Sequence, residues 1–158
     1  MTLADNLLES LSAWQPAGEG RQTYSHSAGE WSVALTTDRA DSVGCACWEL
    51  TVSRVSMNES KRNVRQWAER IARRTTGLLE SLQVIEVDDE KNEAILRSSK
   101  PTKKADIARY YEVHLVGMSL ATVRRYGADT AAGTRREQVP YVLTNEVIAK
   151  LAEDLIAE

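Results

Sequence analysis

Three polar residues spaced two apart, Tyr110, Glu112 and His114, are the nearest thing in the chain to a catalytic set. In an extended strand residues i, i+2 and i+4 share a face. A phenol, a carboxylate and an imidazole would then stand in one row, the inventory of general acid–base chemistry in a small hydrolase or transferase. Arginine supplies a second candidate chemistry. Arg62, Arg65, Arg70 and Arg73 fall on the polar side of a helical stretch, with Arg124, Arg125, Arg135 and Arg136 further along. Such clusters bind phosphates, whether of a small molecule or of nucleic acid. Glu69 stands four residues after Arg65 and four before Arg73, which is the spacing of intrahelical ion pairs, so a salt-laced solvent face is the competing and favoured reading.

Cys45, Cys47, His26 and His114 are potential zinc ligands by type. Cys-x-Cys on a strand lacks the tight knuckle on which thiolate sites are built, and two strand residues on one face have no easy mutual disulfide geometry. The cysteines read as reduced, inert side chains, and no metal is expected. Asp88, Asp89, Glu90 and Glu93 form an acidic cluster, but a calcium loop wants alternating oxygen ligands and a glycine at the sharp turn. Here there is no glycine and Lys91 intrudes, which leaves a solvated hairpin turn. The chain has no GxSxG, HExxH, CxxC or glycine-rich phosphate loop with a following lysine. A non-enzyme without a cofactor is the expectation.

Composition narrows the class further. The 158 residues are 42% apolar and 27% charged, ordinary for a globular domain, and the length suits a single domain over 1–158. A net charge of −3 argues against nucleic acid or an anionic membrane surface as the main partner. The first residues lack a signal-peptide pattern and no run approaches the ~18 apolar residues of a membrane span, so a cytoplasmic protein is expected.

The elements that must position these residues follow from hydrophobic period. Leu3, Leu7, Leu11 and Trp14 form a helical stripe, with Thr2 and Asp5 as its capping signal and Pro16 and Gly18 as its stop. From Gln22 onward the period becomes two. A weak strand over Gln22 to His26 leads into Trp31, Val33 and Leu35, then Ala46, Trp48, Leu50 and Val52, making a three-stranded meander. Val64, Trp67, Ile71, Thr75 and Leu78 predict a second helix over roughly residues 60–80, capped by Asn58 or Ser60, with Gly77 inside its pattern. Strands follow at Leu82 to Val87 and Ala94 to Ser98. The stretch from Ser98 to Lys104 reads as a solvent loop. A hairpin around Gly117-Met118 and a short edge strand from Thr134 to Val139, ended by Pro140, complete the second group. Thr144 caps a last helix bearing Val147, Ile148, Leu151 and Leu155, with Glu146 and Lys150 as an i,i+4 pair. All four tryptophans fall on apolar faces. The fold class is α+β: an antiparallel sheet of about seven to eight strands with three helices, in the order α-βββ-α-ββββ(β)-α.

That order resembles the small dimeric chaperones of type III secretion and the YbjN-like proteins that share their fold, although the strands after Pro101 exceed the usual two. The closing stretch from Val139 to Ile148 also looks like the end of uncharacterised bacterial proteins. The resemblance implies a homodimer that binds a protein or peptide, and it carries over no catalytic residue. An exposed sheet face or an unpaired edge, at Gln22 to His26 or at Thr134 to Val139, is where such a partner is expected.

Overall fold

The computed structural model describes residues 2–16, 20–41, 43–54, 63–129, 131 and 135–156. Helix α1 (Leu3–Ala13) begins at a capping box in which Thr2 and Asp5 satisfy each other's backbone N–H groups, and it buries Leu7 and Leu11. Strands β1 (Gln22–Ala28), β2 (Trp31–Ala40) and β3 (Gly44–Arg54) form the expected meander. Gly29, at φ 62°, makes the tight β1–β2 turn that a side chain would resist. Helix α2 (Val64–Arg74) is followed by β4 (Leu82–Asp88), β5 (Glu93–Ser98), β6 (Thr102–Lys104), β7 (Ile107–Val116), β8 (Leu120–Asp129), β9 (Glu137–Val139) and β10 (Tyr141–Thr144). Helix α3 (Asn145–Asp154) starts at Thr144, whose hydroxyl accepts from the Val147 N–H at 3.2 Å.

The fold is α+β, and among the described residues one sheet holds ten antiparallel strands, more than the seven to eight expected. Its main path runs β1-β2-β3-β8-β7-β5-β4. Buried side chains alternate along these strands, Val33, Leu35, Leu50, Val52, Leu96, Val113, Leu115 and Val123 among them, and join the helices in one core. The Trp67 indole N–H donates to the Leu155 carbonyl at 2.9 Å and so ties α2 to the end of α3. Among the described residues the three helices cover one face of the sheet and leave the other open.

Between β3 and β8 the sheet forks. The end of β3, Leu50–Ser53, pairs with β8, while its beginning, Gly44–Cys47, pairs with β10, and the far part of β8 pairs with β9. The segment from Glu137 to Thr144 thus crosses from one arm to the other at Pro140, a residue with no N–H to leave unpaired. Two side chains bridge the fork: the Gln138 amide donates to the Trp48 carbonyl and the Tyr141 hydroxyl to the Val123 carbonyl, each at 2.8 Å. β10 approaches so closely that a Cβ at Gly44 would collide with the Leu143 carbonyl and lie 2.8 Å from the Thr144 Cα.

Several expectations need correction. The Ser98–Lys104 loop contains β6, paired with β7; the short strand expected before Pro140 is present as β9, paired with β8, with Thr134 outside the described residues, while β10 on β3 was not anticipated. Helix α2 is capped by Asn63, not by Asn58 or Ser60, which are outside the described residues, and it ends at Thr75, whose backbone is extended. Strand β3 slips phase, because Glu49 pairs with Thr36 while Cys47 pairs with Thr37, which makes Trp48 the extra residue of a bulge. Cys45 and Cys47 therefore join the core, and Ala46 and Trp48 do not. Lys150 pairs with Asp154 at 2.6 Å and not with Glu146.

Candidate functional site: the open sheet face

Parity places Tyr110, Glu112 and His114 on the open face, the opposite side of β7 from Tyr111, Val113 and Leu115. The row was correctly anticipated, but its chemistry differs from that of a catalytic set. Glu112 accepts from the Arg97 guanidinium at 2.8 Å and from that of Arg136 at 2.6 Å. Burial pushes its carboxyl upward, but the bonds from Arg136 and Arg97 outweigh that and hold it below the ordinary carboxylate value. A carboxylate so occupied is a weak proton acceptor. No hydrogen bond joins His114 to Glu112 or Tyr110 among the described residues, and the two described cavities lie elsewhere. The acid–base reading has no support in this geometry.

Cross-strand register arranges these charges into a ladder. Glu49 on β3, Arg124 on β8, Glu112 on β7 and Arg97 on β5 stand side by side on four neighbouring strands, with Arg124 bonded to Glu49 at 2.8 Å. Opposite charges on adjacent strands stabilise a sheet, at about 0.2–1 kcal/mol per pair. Aromatic rings flank the ladder. Tyr110 and Tyr126 pair at 5.9 Å, Arg136 lies 3.8 Å from the Tyr126 ring centroid, Arg97 lies 5.6 Å from that of Tyr110, and Arg21 lies 4.3 Å from that of Trp48. The result is an ordered, half-buried surface of arginine, tyrosine and tryptophan.

The arginines singled out on α2 point to different places. Arg65 pairs with Asp89 at 2.9 Å across to the β4–β5 turn, Arg70 lines a cavity of about 530 Å³ with Arg74, Arg54, Glu30 and Glu153, and Arg73 is exposed. Arg62 lies outside the described residues. Arg125, grouped in the sequence with Arg124, points the other way into the core. There it forms a two-pronged pair with Glu80, both bonds 3.1 Å, and stacks 4.1 Å from the Tyr111 ring. Strand alternation carried that signal, since Arg125 continues the buried row of Ala121 and Val123, whereas nothing in the sequence singles out Glu80.

Metal binding finds no ligand set: among the described residues no group of three or more His, Cys, Asp or Glu side chains could hold an ion. Asp88 accepts from the N–H groups of Glu90 and Lys91, as a hairpin turn requires. No described helix is long and apolar enough to cross a membrane. No protein-family model, no curated protein and no solved structure matches the chain.

Proposed function

We propose that this protein is a non-catalytic protein- or peptide-binding module, acting as a homodimer, with the open sheet face as its binding surface. The observation that carries the reading is the Glu49–Arg124–Glu112–Arg97 ladder with Trp48, Tyr110 and Tyr126 around it. Tyrosine, tryptophan and arginine dominate the energetics of protein interfaces. Rings and guanidinium groups already held in place lose little conformational freedom on binding. Two arginines, Arg97 and Arg136, share the single carboxylate of Glu112, so this part of the face suits a partner that presents carboxylates. Strand β1 borders the sheet and, among the described residues, offers an unpaired edge beside that face, at Gln22 to His26 as the sequence suggested, whereas Glu137–Val139 lies within the fork.

The test joins capture to a surface variant. The chain, immobilised in native cell extract with and without nuclease, is expected to retain a protein whose recovery is lost when Tyr126→Ala and Arg136→Ala are combined. Retention of nucleic acid alone, or capture indifferent to both substitutions, would overturn the reading. Light scattering coupled to size exclusion is expected to give twice the chain mass; a monomer at high concentration removes the homodimer.

A further inference from the structure

Cys45 and Cys47 both turn toward the helices, and their sulfurs approach to 3.3 Å. Side chains two apart on a strand share a face, and the two bulges of the β2–β3 pairing, at Trp48 in β3 and Asp38 in β2, both adjoin Cys47 and leave β3 regular from Cys45 to Cys47. Both thiols are free and buried. Their surroundings differ. Cys45 lines a cavity of about 860 Å³ together with Thr37, Ala40, Gly44 and Leu143, while Cys47 is absent from that lining and fully buried. The volume lies in the range of small-molecule sites. The Thr37 hydroxyl is buried and has no hydrogen-bond partner among the described residues, which leaves a donor beside the thiols at the cavity wall.

We propose that Cys45 and Cys47 are a redox-active dithiol that exchanges with low-molecular-weight disulfides, Cys45 attacking from the cavity and Cys47 resolving. The Cys45 thiolate attacks one sulfur of RS–SR, forms a mixed disulfide and expels RS⁻. Cys47 then loses its proton and attacks the Cys45 sulfur, breaking the bond to RS and closing the intramolecular disulfide. Two electrons pass from the dithiol to RS–SR, and the two thiol protons end on two RSH molecules. Hydrogen bonding from the Cys47 S–H holds the Cys45 thiol below its ordinary value, against burial and the charge of Asp41, and the same bond with burial pushes Cys47 up. The attacking and resolving roles follow from access, since Cys45 lines the cavity and Cys47 does not, and that asymmetry runs in the same direction. Residues two apart on a strand lie about 6.6 Å apart at Cα, close to the ~6.8 Å limit for a disulfide. The oxidised form is therefore strained and readily reduced, which suits exchange and not a permanent staple.

Incubation of the folded protein with excess glutathione disulfide, followed by an acid quench and mass spectrometry, tests the assignment. The parent chain is expected to lose both free thiols and retain no glutathione. Cys47→Ser should hold one glutathione on Cys45, and Cys45→Ser should react roughly tenfold or more slowly. Circular dichroism on each variant confirms that it is folded. The parent chain supplies a check that needs no variant, since iodoacetamide should label Cys45 before Cys47 in a peptide map. Two thiols left free in the folded parent, equal rates for the two variants, or first labelling at Cys47 would overturn the proposal.

Discussion

Arg125 and Glu80 form a paired charge inside the helix-covered face, their side chains only 8% and 5% exposed. Glu80 also accepts from the Ser98 hydroxyl at 2.9 Å and the Thr102 hydroxyl at 2.7 Å, and Ser98 in turn accepts from the Tyr111 N–H. Every strong acceptor site is thus used, which is what makes a buried ion pair tolerable. Removing one partner strands the other. Arg125→Ala and Glu80→Ala are each expected to cost about 3–5 kcal/mol, whereas replacing both together with methionine should cost far less. Urea denaturation of the three variants measures this; equal losses in singles and double would refute the coupling.

The same pair sets a pH dependence. Burial raises the Glu80 carboxyl, and the bonds from Arg125, Thr102 and Ser98 outweigh it, so its folded value lies below the ordinary one. Glu112 is depressed in the same sense by Arg136 and Arg97. A depressed carboxylate stabilises the fold fully above its unfolded pKa, near ~4.3 for Glu, and that contribution is lost as pH falls through the folded value. Stability should therefore drop below about pH 4. In Arg125→Ala only burial and the neighbouring hydroxyls act on Glu80, so its share of the acid loss should shrink or reverse sign. Urea midpoints of parent and variant across the acid range give the comparison.

Of the two side chains that bridge the fork, the phenol is the buried one. Tyr141 is buried, stacks edge-on against Tyr111 at 5.6 Å, and spends its hydroxyl on the Val123 carbonyl of the other arm. Tyr141→Phe keeps the ring and strands that carbonyl, for an expected loss of about 1–2 kcal/mol. Gln138→Ala removes the reciprocal bond to Trp48 at an exposed position and should cost less. Hydrogen exchange at the β3 and β10 amides should rise in the first variant and hardly in the second.

Helix positions, caps at Thr2 and Thr144, and the alternating core rows of β2, β7 and β8 were legible because each follows a local period. The fork was not, since Pro140 reads locally as a strand terminator and only the splay of β3 from β8 turns it into a crossover point. Trp48 misled for a related reason: a bulge changes parity without changing composition. The spacing of Thr75 and Leu78 prolongs the α2 pattern past the point where the Thr75 backbone turns extended. Glu80 gave no signal, as its partner Arg125 lies 45 residues away.

Helix α2 presents opposite outcomes on its two sides. Arg65 and Asp89 are 51% and 66% exposed, so their pair is screened by water, and Arg65→Gln should cost no more than about 1 kcal/mol. Adding Arg73→Gln, at another exposed position, should change little further. If these arginines bound phosphate, each lost contact would weaken binding to RNA or DNA and flatten its salt dependence. The expected result is a double variant that folds as the parent does, with neither binding nucleic acid at physiological salt in a mobility-shift assay. Trp67 lies on the other side, 1% exposed among Leu, Ile and Val side chains, with its N–H on Leu155. Trp67→Ala should cost about 3–5 kcal/mol, a large share of the 5–15 kcal/mol that ordinary domains possess. Trp67→Phe keeps most of the ring and loses the bond to α3, so its denaturation midpoint should fall between those of the parent and Trp67→Ala. An alanine variant as stable as the parent would mean that α2 is not anchored through this indole.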